Sequence, residues 1–310
     1  MAAATVLPTP TPAVAGPAPT CGATLTTNAA LTADLSCTGS GLTLAPPTGS
    51  TLTLNLAGHT ISGAGILVQG SVSVVNGSIT NVVADCGIRA PSATTTQVKI
   101  NHVVFSSNQT GVCAEESDNL QILNSTFSHN ARGIFADECS FYLIKNNTFI
   151  GNTTAGADIS VSDGTFQSNV VADNAVGVSY DSFTPRASVF KHNVFTHNTT
   201  SGLTVQMAPP ASLEVVSNQF TANGGVGLLS PASSLATNGL VSKNLFASNG
   251  LDGAQLQLAA GSTLTVSKNL AYVNGGYGIE ASNATDGGKN TADSNGNPAE
   301  CLGVACSQGR

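Results

Sequence analysis

The chain of 310 residues carries 9% charged residues, 33 glycines and no tryptophan, and its net charge is −7. So few charges argue against a mainly helical protein, because exposed helix faces are usually covered by Lys, Glu and Arg. The sequence has no cluster of Lys or Arg, which argues against a nucleic-acid-binding protein, and no apolar run near the ~18 residues of a membrane helix. A β-rich protein with an almost neutral surface remains.

The first segment, residues 1–20, consists mainly of Pro, Ala and Thr without charge or periodicity. This composition is typical of a flexible linker with some polyproline character. The segment lacks the basic and apolar regions of a signal peptide. We expect that a signal peptide was removed, because the cysteines favour a secreted or cell-surface protein.

From residue 101 onward one short phrase recurs, with variants such as NSTFSHN, NNTFIGN and NQFTAN. Each copy closes on an asparagine, and the copies follow one another every 21–26 residues. A glycine comes soon after every closing asparagine but the last and opens a short alternating segment. The closing asparagines are Asn108, Asn130, Asn152, Asn174, Asn198, Asn223, Asn249, Asn274 and Asn295. This period predicts a solenoid, in which units of two or three strands stack on one another.

The repeat also predicts how the coils pack. Asparagine at a fixed position can bond to its counterpart one coil away, which predicts an asparagine ladder. Asn and Gly tolerate the left-handed backbone that sharp coil corners demand. The phenylalanines at one phase of the repeat should form an internal stack: Phe105, Phe127, Phe149, Phe195, Phe220 and Phe246. A β-propeller has longer repeats and a leucine-rich repeat has a helical half, so the period favours a parallel β-helix of about ten coils.

The N-x-F-x-x-N…G-I/V pattern resembles the right-handed parallel β-helix repeats of the pectate-lyase-like superfamily. The opening from Cys21 to Gly65 and the ending from Asn297 to Cys306 are similar to those of many secreted bacterial proteins of this type. The resemblance implies an all-β, single-domain, right-handed parallel β-helix over residues 21–306, between the linker 1–20 and a tail at 307–310. It implies little about activity, because lyases, hydrolases, epimerases and adhesins share this fold.

The cysteines predict disulfides at both ends of the β-helix. Cys21 and Cys37 bracket the first structured segment, and Cys301 and Cys306 bracket the last, so we predict a local disulfide on each terminal cap. The three that remain are Cys86, Cys113 and Cys139, and at least one thiol must stay unpaired within the chain. Cys113 is expected on the outer surface, where it is either reactive or paired with Cys86 across adjacent coils.

Four carboxylates are predicted to lie close together on one sheet. After each repeat glycine, the second and fourth residues of the strand should point outward, because the apolar residues between them point inward. Coils rise by ~4.8 Å, so these positions place Glu115, Asp137, Asp158 and Asp181 in an acidic track. Like charges this close repel unless a cation or a raised pKa relieves them. We therefore take Asp137, Asp158 and Asp181 as candidate catalytic residues, and Glu115, Asp137 and Asp158 as candidate Ca²⁺ ligands. Candidate substrate contacts are Arg89, Glu115, Phe135, Ser179 and Arg186.

No complete catalytic motif accompanies the acidic track. The Asp pair and Gly-His-Gly element of polygalacturonase-like hydrolases are missing, as is the Asp-Pro-His-Asp element of alginate-epimerase-like enzymes. One hypothesis is an extracellular protein that binds or processes polysaccharide or a cell-surface glycan along an acidic groove, as a lyase, epimerase or hydrolase if it is an enzyme. The other is a non-catalytic surface solenoid or adhesin-like scaffold, whose charged stripe keeps sheets from sticking together. We expect a monomer without a nucleic-acid partner, a membrane span or a cofactor other than calcium.

Overall fold

The computed structural model describes residues 18–91 and 97–309, apart from the side chains of residues 209, 210 and 232–237. The regular structure of these residues is entirely β-strand, and 34 strands wind into a parallel β-solenoid of about eleven turns. Each full turn contributes to three parallel sheets. The predicted all-β parallel β-helix of about ten coils is therefore confirmed. The described residues contain no helix that could cross a membrane.

The three sheets are numbered in the order in which a coil passes through them. The first sheet contains Thr24–Leu25, Leu42–Leu44, Ile66–Val68, Cys86–Ala90, Thr110–Glu115, Arg132–Asp137, Ala155–Ser160, Val176–Ser182, Ala254–Leu258, Ile279–Ser282 and Cys301–Leu302. The second contains Ala29–Ala30, Thr51–Asn55, Asn119–Leu123, Tyr142–Lys145, Gly164–Gln167, Ala187–Lys191, Thr263–Ser267 and Thr285–Gly288. The third contains Leu35–Ser36, Thr60–Ser62, Thr126–Ser128, Thr148–Ile150, Val170–Ala172, Val194–Thr196, Gln219–Thr221, Leu245–Ala247, Leu270–Tyr272, Asn290–Asp293 and Cys306–Gln308. Ser71–Thr80 and Gln97–Ser106 run through the second and third sheets, and Leu203–Val216 and Leu228–Ser242 through the first and second.

The strands stack in register, so residues at the same phase of the repeat lie above one another. In the first sheet, for example, Val112 pairs with Ile134 and Ile134 with Ala157, and all three are fully buried. Their neighbours point outward, since successive side chains of a strand alternate between its two faces. The interior is thus one continuous apolar core that runs along the solenoid axis.

The predicted phenylalanine stack forms in two runs. Ring centroids lie 4.8 Å apart for Phe105 and Phe127 and 4.8 Å apart for Phe195 and Phe220. Val171 occupies this phase between the runs, and Phe166 from the second sheet bridges the gap. Stacked aromatic pairs add stability beyond the area that they bury, so the stack stabilises the alignment of successive coils.

Two buried asparagine ladders run along the described coils, and the predicted one is confirmed. Its side-chain amides donate in two directions: Nδ2 of Asn152 lies 2.8 Å from Oδ1 of Asn174 and 3.1 Å from the carbonyl oxygen of Phe127. A second ladder joins Asn147, Asn169, Asn193, Asn218, Asn244, Asn269 and Asn290. The two ladders flank the third-sheet strands. They satisfy buried polar groups that would otherwise destabilise the fold.

The corners of the coils show where the left-handed backbone occurs. The left-handed backbone occurs at the residue before each ladder asparagine, such as His129 with φ 54°. Gly151 and Asn146 are among these left-handed residues, as predicted for glycine and asparagine, whereas the repeat glycines do not have a positive φ. They allow close approach instead: a Cβ on Gly111 would lie 2.6 Å from the carbonyl oxygen of Gly133 in the next coil.

Candidate functional site

The outer face of the first sheet carries two rows of side chains. One row runs through Arg89, Cys113, Phe135, Asp158, Ser179 and Thr204, and the other through Glu115, Asp137, Ser160, Asp181 and Gln206. The four carboxylates predicted to share one sheet therefore do so. We call Glu115, Asp137, Asp158 and Asp181 the acidic face. Asp158 lies in the row of Phe135, and Ser160 separates Asp137 from Asp181 in the other row.

Asp158 has an arginine partner from the preceding coil. Nη2 of Arg132 lies 3.3 Å from Oδ2 of Asp158. The same guanidinium lies over the ring of Phe135, 5.2 Å from its centroid, and so joins the carboxylate to the aromatic side chain. Partial burial raises the pKa of Asp158, the arginine opposes the rise, and the charge of Asp137 adds to it. The pKa of Asp158 therefore lies above the ordinary value of an aspartate carboxyl group.

Asp181 is half-buried and has a weaker partner. The hydroxyl of Ser160 donates to Oδ2 of Asp181 at 3.3 Å. Burial raises the pKa of Asp181, the serine hydrogen bond opposes the rise, and the charges of Asp158 and Asp137 add to it. A negative charge on Asp158 or Asp137 therefore disfavours the ionised form of Asp181.

Arg89 lies where the acidic face meets a cleft near the N-terminal coils. Its guanidinium lies 3.0 Å from Asp85 and 3.9 Å from Glu115. The cleft has a volume of about 410 Å³, and its lining includes Thr43 and Leu67, which precede Arg89 in the same outer row. The first sheet thus continues beyond the acidic face into a concave surface that sequence reasoning did not identify.

Arg186 lies at the corner between the first and second sheets rather than in an outer row. It donates to Oδ2 of Asp163 at 2.8 Å. Arg89 and Arg186, which the sequence analysis named, are therefore paired with carboxylates of the protein itself, and so is Arg132.

The phenylalanines divide into a core set and a surface set. Of the 11 in the chain, those that are fully buried are Phe105, Phe127, Phe149, Phe166, Phe190, Phe195, Phe220 and Phe246. The other three lie on or beside the acidic face: Phe135 in an outer row, and Phe141 and Phe183 at the adjoining corner. Phe141 is 44% exposed and Phe183 is 64% exposed. Sequence reasoning missed these two, although both fall outside the phase of the predicted stack.

A family model for a right-handed β-helix region matches residues 62–209. The periplasmic alginate epimerase AlgG has a similar structure, with a TM-score of 0.66 and 13% identity over 92% of this chain and 73% of the epimerase. A double mutant of that epimerase has a TM-score of 0.58 and 13% identity over 91% of this chain and 78% of the mutant chain. The Dettilon tailspike protein has a TM-score of 0.48 and 13% identity over 91% of this chain and 60% of the tailspike. No curated protein matches the sequence.

These similarities concern the fold, because identities so low do not carry function from one β-helix to another. They agree with the parallel β-helix that the repeat predicted and with the pectate-lyase-like fold that the resemblance implied. None of them assigns a role to a particular residue of this chain.

Calcium has little geometric support at the acidic face of this β-helix. Among residues 18–91 and 97–309, no three His, Cys, Asp or Glu side chains are grouped so that they could hold a metal ion. The carboxylates of Asp158 and Asp181 are instead partnered by Arg132 and Ser160. The calcium hypothesis for Glu115, Asp137 and Asp158 therefore depends on a binding measurement.

The cysteine predictions are confirmed at both caps of the β-helix, where Cys21 pairs with Cys37 and Cys301 with Cys306. Of the two alternatives for Cys113, the structure shows the disulfide with Cys86, which links adjacent coils at the edge of the acidic face. Cys139 is buried and unpaired, and desolvation raises the pKa of its thiol to about 11. Three disulfides are typical of an oxidising, extracytoplasmic compartment.

Proposed function

We propose that this β-helix is an extracellular protein that binds a polysaccharide along its first sheet, over the acidic face and its aromatic border. One observation carries the proposal: the four carboxylates and every phenylalanine outside the core lie on or beside the same sheet face. Exposed aromatic side chains on an otherwise polar surface are a sign of an interaction site. The solved structures with TM-scores above 0.5 are of an alginate epimerase, which is consistent with a glycan ligand.

The chemistry of the face suits a sugar chain. Carboxylates accept hydrogen bonds from hydroxyl groups, and Asp137 and Glu115 face outward without an arginine within 3.5 Å. Phe141 and Phe183 offer flat apolar surfaces to sugar rings, and Phe135 is held in place by the guanidinium of Arg132. An extended polymer that lies along the solenoid axis would meet a new set of these side chains every ~4.8 Å.

Chemical turnover is a second candidate function, favoured by the raised pKa of Asp158 and Asp181. A carboxyl group with a raised pKa can donate a proton to a glycosidic oxygen, while an ionised neighbour accepts one. In this version Asp137, Asp158 and Asp181 are the catalytic residues, and Arg89, Ser179 and Arg186 border the bound chain. A hydrolase and a lyase need a proton donor for the leaving glycosidic oxygen, whereas an epimerase needs one group to remove a proton from a sugar carbon and another to return a proton to it.

The test is a panel of soluble polysaccharides, measured by affinity electrophoresis and calorimetry against the wild type and two variants. Asp137→Asn and Phe183→Ala should each weaken binding by about three- to tenfold, because each removes one contact from the face. Asp293→Asn, an acid on the third sheet, is the matched control and should leave binding unchanged. If no glycan binds, or if the control loses as much affinity as Asp137→Asn, the scaffold hypothesis replaces this one.

Two further measurements separate binding from catalysis and from calcium binding. Product analysis of each polysaccharide that binds, with and without Asp158→Asn, shows whether turnover occurs and whether it needs this carboxyl group. A thermal-shift series with Ca²⁺ tests the metal hypothesis, because a ligand that binds only the folded state raises the unfolding midpoint. If Ca²⁺ raises the unfolding midpoint of the wild type but not that of Asp137→Asn, the calcium hypothesis is supported.

A further inference from the structure

The lysines are scattered in sequence but gathered in space. The chain contains six: Lys99, Lys145, Lys191, Lys243, Lys268 and Lys289. The last three occupy the position before a ladder asparagine in three consecutive coils, at the corner between the second and third sheets. Backbone hydrogen bonds show the alignment: the N–H of Lys243 bonds to Ser267 and that of Lys268 to Gly288, each the residue before the next lysine. We call Lys243, Lys268 and Lys289 the lysine corner.

Two more lysines extend this positive edge towards the N terminus. Lys145 and Lys191 end second-sheet strands and stand one position before the same corner. The corner column itself runs through His102, Asn124, Asn146, Ser168, His192 and Ser217 before it reaches Lys243. Ser217 therefore separates the lysine corner from the histidine above it.

The charges of the lysine corner are not neutralised within the protein. All three side chains are exposed, and within residues 18–91 and 97–309 no lysine forms an ion pair. The nearest acidic side chains on the second sheet are Glu214 and Asp286. The carboxylate of Asp286 accepts the N–H groups of Gly288 and Ala305 at 2.8 and 3.1 Å. The lysines thus contrast with the arginines of the first sheet, which are all paired.

We infer that the lysine corner binds a linear anionic glycan that runs along the solenoid axis. The backbone fixes three ammonium groups one coil apart, at a spacing of ~4.8 Å, where they repel one another. A polymer with one acidic group on each sugar supplies negative charges in a comparable linear array and relieves that repulsion. Side chains on a rigid corner lose little further backbone entropy on binding, which favours such a contact.

The inferred site lies on a different edge from the acidic face, whose carboxylates repel a polyanion. It therefore goes beyond the proposed function and gives the β-helix two glycan surfaces of opposite preference. A nucleic acid fits the corner less well, because the column contains no Phe or Tyr on which bases could stack. The disulfides also indicate an oxidising compartment.

The experiment measures binding to polygalacturonate and to its fully methyl-esterified form, which has the same backbone without the charge. The wild type should bind the acid polymer at low salt and not the ester, and added salt should weaken binding because it screens exposed charges. The triple variant Lys243→Gln/Lys268→Gln/Lys289→Gln should lose affinity by about tenfold or more, since each exposed pair contributes modestly. Lys99→Gln is the control for loss of a lysine elsewhere and should change affinity by less than twofold.

A gain-of-function variant makes the test independent of folding defects. Ser217→Lys extends the lysine corner by one coil, at a position whose backbone conformation the three lysines already adopt. It should raise affinity by about two- to threefold. Equal binding of acid and ester polymers, or an unchanged affinity in the triple variant, overturns the inference. Binding of single-stranded DNA but not of polygalacturonate overturns the glycan assignment. Asp137→Asn should not weaken polygalacturonate binding, because Asp137 lies on the acidic face. Loss of binding in the lysine variants therefore tests the lysine corner, and loss in Asp137→Asn tests the proposed function.

Discussion

The first and third sheets are built from the same repeat, but their outer faces present different kinds of side chain. Third-sheet strands are mostly three residues long and lie between the two asparagine ladders. From Thr60 to Tyr272 their outward side chains are uncharged, and Asp293 is the first charged one. The first sheet presents carboxylates, arginines and phenylalanine, and the corner that follows it varies in length from coil to coil. The residues that hold the coils in register are therefore concentrated around the third sheet, whereas the charged and aromatic surface residues vary from coil to coil on the first sheet.

Phenylalanine occurs both in the core beside the third sheet and at the edge of the first sheet, and replacing it at each place should give the largest difference in stability. Phe195→Ala should lower the free energy of unfolding by about 3–5 kcal/mol, because it opens a cavity in the stack. Phe183→Ala should change the free energy of unfolding by less than about 0.5 kcal/mol, since its ring is 64% exposed. Chemical denaturation followed by circular dichroism measures both. Similar losses in the two variants would contradict this expected difference.

The ladders should be nearly as sensitive as the stack. In Asn174→Ala, Nδ2 no longer donates to Asn198 and to the carbonyl of Phe149, and the amide of Asn152 loses its acceptor. Buried groups left unpaired in this way should lower the free energy of unfolding by about 2–3 kcal/mol. The control is Asn119→Ala, whose side chain accepts a hydrogen bond from Gln121 at the start of a strand. We expect the control to cost less than about 1 kcal/mol in the same denaturation experiment.

Periodicity explains which parts of the molecule could be predicted from the sequence. The strands, the stack and the first ladder repeat at fixed phase, so the period alone places Phe127 or Asn152 in the interior. Two of the three surface phenylalanines could not be placed, because Phe141 and Phe183 lie in corners whose length changes and where no alternation gives a direction. The disulfide between Cys86 and Cys113 stayed open because its separation of 27 residues exceeds the usual coil length.

The lysines show the opposite case, in which a sequence observation was correct but misleading. The chain has no local cluster of Lys or Arg, yet Lys243, Lys268 and Lys289 are 25 and 21 residues apart and each immediately precedes a ladder asparagine. Winding the chain into coils turns that separation into adjacency. Charge in a solenoid is therefore better counted along each column of the repeat than along the chain.

The smallest predicted effect concerns the carboxylates that distinguish the first sheet. The pKa of Asp181 is raised in the folded protein, so the folded state binds a proton more tightly than the unfolded state does. Stability therefore falls as pH rises through the interval between the two pKa values, and the full penalty is present at neutral pH. Asp181→Asn cannot ionise, so it should stabilise the protein at neutral pH by less than about 1 kcal/mol, since solvent screens a half-buried group. The difference from wild type should vanish in acid, where Asp181 is protonated, as denaturation at a series of pH values would show. An Asp181→Asn variant less stable than wild type at neutral pH would mean that its surroundings favour the ionised carboxylate. The acidic face would then stabilise the fold, and its charges would not be held at a cost in stability for the sake of a ligand.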